Sequence, residues 1–83
     1  MSAYTNDLRK EYDEEMTLAK FSLIAAQLLA EEVSEELSLE DLKDLRTRHR
    51  KHIRAFNMHL RRATKLRKKA ERYERKAAKY DNK

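Results

Sequence analysis

Residues 34–42 read Ser34-Glu35-Glu36-Leu37-Ser38-Leu39-Glu40-Asp41-Leu42, and the break in apolar spacing there decides the fold. Upstream, Tyr12, Met16, Ala19, Leu23, Ala26, Ala30, Val33 and Leu37 recur at alternating steps of four and three. That is the seam of a helix packed on a near-antiparallel neighbour. Continued past Leu37, the stripe would place Glu40, Asp44, Thr47 and Lys51 on the seam, so it stops. Downstream a second stripe begins in a new phase: Leu42, Leu45, His49, Ile53, Phe56, Leu60, Ala63, Leu66, Ala70, Tyr73, Ala77 and Tyr80. At about 3.5 residues per step it marks one long amphipathic helix. Ser38 with Asp41 three residues later has the form of an N-cap, Asp41 standing where a capping box usually carries Glu or Gln.

The break predicts an all-α chain, a two-helix antiparallel hairpin with helices over about 6–37 and 39–80, forming a single helical-hairpin domain over 1–83. The competing reading is one continuous helix in a long coiled coil, which no Gly or Pro forbids. Helix 1 is expected to start near Thr5 to Asp7, where Asp7 and Glu11 suit the positive helix end.

Charge reinforces the hairpin. Residues 1–41 hold three basic against eleven acidic side chains, a net of −8; residues 42–83 hold seventeen basic against four acidic, a net of +13. Folding about residue 38 pairs positions whose numbers sum to about 76. Glu31 and Glu32 are then expected near Arg46 and Arg48, Asp13, Glu14 and Glu15 near Arg61 and Arg62, and Glu11 near Lys65. Each exposed pair contributes only ~0–1 kcal/mol, but together they favour the antiparallel arrangement. Helix 2 is the longer, so a basic overhang of about 71–83 is expected, leaving Arg72, Arg75, Lys76, Lys79 and Lys83 unpaired by helix 1.

A second apolar row on helix 1, Leu18, Phe21, Ala25, Leu28 and Leu29, is more than one partner helix can cover. A core this small supplies only ~3–5 kcal/mol. The row therefore predicts an oligomer or partner interface, most simply a homodimer forming a four-helix bundle or coiled coil.

With no Cys there is no disulfide, thiolate metal site or cysteine nucleophile; with no Gly there is no phosphate-cradling loop. The serines sit in the acidic half and the histidines in the basic half, so no nucleophile–base pair suggests itself and the chain reads as no enzyme, with no cofactor. His49 and His52 are one turn apart, but arginines flank them and no metal site is expected. His49 is instead expected to be buried in the seam, bonded near Gln27. The N-terminus lacks a signal-peptide layout, and Met16 to Ala30 is too short and too interrupted to span a bilayer. The expectation is a soluble, intracellular, cytoplasmic protein without membrane insertion.

On the outward face of helix 2, Arg50, Lys51, Arg54, Arg61, Arg62, Lys65, Lys68, Lys69, Arg72, Lys76 and Lys79 form a ribbon roughly 44 Å long at 1.5 Å per residue. From Arg46 to Lys79 only Glu71 and Glu74 interrupt it, whereas solvated faces usually mix both signs. A straight row of cations contacts successive phosphates and releases counterions. Tyr73 and Tyr80 fall on or near the seam, so no stacking platform for unpaired bases is expected. The ribbon points to a small nucleic-acid-binding protein, for DNA or RNA, contacting mainly the backbone. The alternative is a protein-interaction module, a regulator or inhibitor docking an acidic surface or groove of a partner protein.

Overall fold

The computed structural model describes residues 3–81 and contains two helices, α1 (Ala3–Glu31) and α2 (Leu39–Asp81). They lie antiparallel along one rod whose Cα atoms span 69 × 14 × 13 Å. The phase break at Ser38 is the hairpin turn, and the continuous-helix alternative is excluded. Lys83, expected in the overhang, lies outside the described residues.

Chain reversal is made without glycine and without any residue of positive φ. Helix α1 closes instead by tightening, as Glu32 and Val33 donate their amide hydrogens to the carbonyls of Leu29 and Ala30. It ends six residues before Leu37, where the apolar stripe pointed. Glu31, Glu32, Glu35 and Glu36 repel one another and the negative helix end, and Val33, the stripe's last member before Leu37, is exposed. The expected rescue by Arg46 and Arg48 is not made. Among the described residues none of these four glutamates has an ion pair, and Arg48 turns to Asp44 at 3.1 Å on its own helix. Helix α2 begins where the sequence said: Ser38 Oγ accepts the Asp41 amide hydrogen at 3.1 Å.

At its other end α1 is helical already at Ala3, so Asp7 falls beyond the first turn. The extra turn lets α1 cover more of α2 than expected. Tyr4 packs edge-on against Tyr73, and Arg9 forks onto both carboxylate oxygens of Glu74 at 2.9–3.1 Å. Contacts between α1 and α2 thus reach at least to Glu74. These contacts sit near the register inferred from charge, as does Glu15, which meets His59 at 2.5 Å and Arg62 at 4.0 Å.

The seam of α2 is as expected through Ala70, with Leu45, Ala63 and Ala70 buried and His49, Phe56 and Leu60 half-buried. That of α1 is rotated. Thr5, Leu8, Ala19 and Ala26 are buried, Tyr12, Glu15 and Ser22 half-buried, while Met16 and Ala30 of the expected stripe are exposed. Steric fit explains the rotation. The most buried residues are small, Ala19 and Ala26 on α1 and Ala63 and Ala70 on α2, allowing the backbones to approach. Met16 and Leu23 then move to the flank, lining a groove with Phe56 and Leu60. His49 is likewise not a buried partner of Gln27, which is exposed; it lines an apolar pocket with Leu29, Val33, Leu42 and Leu45. The histidine bonded across the seam is His59, through Glu15.

Candidate nucleic-acid interface

The basic ribbon follows from the seam. Once Leu45, Phe56, Ala63 and Ala70 face α1, residues offset by half a turn must face outward. All eleven ribbon residues are exposed: Arg50, Lys51, Arg54, Arg61, Arg62, Lys65, Lys68, Lys69, Arg72, Lys76 and Lys79. Among the described residues only Arg62 has a carboxylate within 4.0 Å, that of Glu15, and the contact is at that limit. Three arginines off the track are held by acids, Arg9 by Glu74, Arg48 by Asp44 and Arg67 by Glu71. The track thus keeps its field while its flanks are partly neutralised.

Cations concentrate toward the open end of the hairpin, where Lys65, Lys68, Lys69, Arg72 and Lys76 surround a shallow depression with Tyr73. Two of them are organised by aromatic rings. The Lys69 ammonium sits 5.6 Å from the Tyr4 ring centroid and that of Lys76 5.8 Å from Tyr73, with the rings 4.9 Å apart and edge-on. A hydrogen bond with Tyr4, and then the field of that side chain, hold Lys69 above the ordinary lysine value. Lys69 is therefore firmly cationic at neutral pH.

Sequence reasoning missed Tyr4, although the antiparallel register placed it opposite Tyr73. Tyr73 itself lies at the edge of the seam, 41 % exposed, rather than within it. Its ring meets that of Tyr4 and lies under the Lys76 ammonium, so the pair orders cations beside the track. Of the expected interface row, Leu18, Phe21 and Leu28 are exposed, whereas Ala25 and Leu29 are half-buried. Leu29 belongs to the hairpin's own apolar pocket.

Among the described residues no three His, Asp or Glu side chains converge as metal ligands, and no helix is long and apolar enough to cross a membrane. No family model, curated protein or solved structure matches this chain.

Proposed function

We propose that this protein is a small, non-enzymatic, intracellular nucleic-acid-binding protein that grips the phosphate backbone of duplex DNA, duplex RNA or structured RNA through the outward face of α2, acting as a homodimer. The observation that carries the reading is the unneutralised track: eleven exposed cations on one face, with a single carboxylate at the 4.0 Å limit. A straight helix presents them at a fixed spacing without loss of loop entropy on binding, which suits a repeating polyanion. Lys and Arg together supply point charges and planar forks for phosphate oxygens. Little in the track reads base identity, so affinity should vary weakly with sequence.

Fluorescence anisotropy with labelled duplex DNA, duplex RNA and single strands at two salt concentrations tests the proposal. Submicromolar binding with a steep salt slope is expected, and changing Lys65, Lys68, Lys69 and Arg72 together to Glu should abolish it without loss of helical content. Equal affinity in that variant, or no binding near physiological salt, would overturn it. The exposed apolar face of α1 favours the second reading, a module docking a partner protein, which absence of nucleic-acid binding would bring forward.

A further inference from the structure

The middle of α1 is apolar around most of its circumference, with exposed Lys20 and Gln27 marking the polar line. Ala19 and Ala26 are buried against α2, while Phe21 (63 % exposed), Leu28 (57 %) and Ile24 (39 %) look away from it, with Leu18 beside them. A helix with more than one apolar face has more to bury than a single neighbour covers, and α2 covers one side only. The hairpin's own core is thin, its buried members being mainly alanines and none of its large side chains fully buried. The surface is correspondingly large. The chain exposes 6953 Å² at 10.0 kDa, against ~5,200 Å² for a compact protein of that mass. The excess is about twice the ~800 Å² that each partner gives up in a standard interface.

The face opposite α2 runs Lys10, Glu14, Thr17, Phe21, Ile24, Leu28 and Glu31, again in steps of four and three. All seven are exposed. The line starts with basic Lys10, acidic Glu14 and polar Thr17, continues through apolar Phe21, Ile24 and Leu28, and ends on the acid Glu31. Turned end for end about Phe21, its ends match in charge: Lys10 falls opposite Glu31 and the adjacent Glu32 of another copy, with Glu14 opposite Leu28, Thr17 opposite Ile24 and Phe21 opposite Phe21. A parallel pairing would set Lys10 against Lys10 and Glu31 against Glu31, with like charges opposed at both ends. A two-fold axis requires this kind of self-complementarity.

We propose that the occupant of this face is α1 of a second copy, antiparallel, with Phe21 beside its own symmetry mate on the two-fold axis. The arrangement rests on the homodimer reading above and specifies its face and register. It places the two acidic, apolar helices at the centre and the two basic helices outermost.

The test uses the full chain and exploits its lack of cysteine. Sedimentation equilibrium should give twice the 10.0 kDa chain mass, and Phe21→Glu should give a monomer with unchanged far-UV circular dichroism. At concentrations where each variant sediments as a dimer, mild oxidation should link Phe21→Cys chains covalently and leave Leu28→Cys chains unlinked. Lys10→Glu should raise the dimer dissociation constant several-fold, and adding Glu31→Lys and Glu32→Lys should restore it. A monomeric wild type overturns the homodimer itself. A dimeric wild type that links through position 28, or through neither position, overturns only the antiparallel arrangement. Both outcomes are read without nucleic acid, so neither depends on the fate of the phosphate track.

Discussion

The hydroxyl of Ser38 accepts the Asp41 amide hydrogen at 3.1 Å, one of the few donors at the start of α2 that the helix itself cannot satisfy. Ser38→Ala should therefore lower the unfolding free energy by about 1 kcal/mol, read from urea denaturation with unchanged slope. The fork between Arg9 and Glu74 is partly exposed, so its loss in Glu74→Gln should cost less, roughly 0.5 kcal/mol, and the difference should shrink in high salt. Lys69 contributes to the alkaline behaviour. Its value is raised in the folded chain, so the stabilisation it provides is complete below the ordinary lysine value of 10.5 and disappears as pH climbs through the higher folded value. Nitrogen NMR of the Lys69 ammonium should show its titration midpoint above 10.5, and Tyr4→Phe should bring the midpoint back toward that number. An unchanged midpoint in Tyr4→Phe would mean that the phenol hydroxyl is not the cause.

Helix α1 is defined by what small side chains permit. Ala19 and Ala26 are each 1 % exposed, and with Ala63 and Ala70 they set how closely the two backbones lie. Ala26→Leu should overpack that contact and cost about 1–3 kcal/mol in thermal unfolding, even though it increases apolar content. Phe21→Glu, on the opposite face, should leave the stability of the isolated hairpin within about 0.5 kcal/mol. This contrast shows where reading the sequence succeeds. The phase break and the Ser38 cap are local signals, and they placed the turn and the start of α2 correctly. The seam of α2 was legible because only one of its faces is apolar. On α1 nearly every face from Met16 to Ala30 is apolar, so periodicity alone did not identify the line that meets α2. The fit of Ala19 and Ala26 on α1 with Ala63 and Ala70 on α2 marks that line, and it depends on a partner helix far away in sequence. The end of α1 was misjudged for a related reason, since an apolar stripe running on to Leu37 says nothing of the repulsion among four glutamates. The outward ribbon was legible because it is the residual face of α2, while its ordering by Tyr4 required the exact overlap of the two helix ends.

At the scale of the whole molecule, the hairpin is a rod 69 Å long with a Cα radius of gyration of 19.2 Å, against ~12 Å for a compact chain of this length. One long side of it is cationic and the opposite side is the exposed face of α1. If two such rods meet through α1, their basic tracks point away from each other, and a single duplex cannot occupy both without bending around the dimer. The bend would be sharp relative to the ~50 nm persistence length of DNA, so two separate duplexes are the lower-energy partners. The expected consequence is bridging. Donor-labelled and acceptor-labelled duplexes mixed with wild-type protein should show energy transfer at a ratio near one dimer per two duplexes, and the signal should fall on salt addition as phosphate contacts are released. Phe21→Glu should still bind each duplex in anisotropy yet give no transfer, because each monomer carries one track. The Lys65, Lys68, Lys69 and Arg72 quadruple change to Glu should lose both signals. Binding without transfer by a dimeric wild type would mean that both tracks engage one duplex, which requires the two α2 helices to lie on the same side of the dimer and rules out the arrangement with Phe21 on the axis.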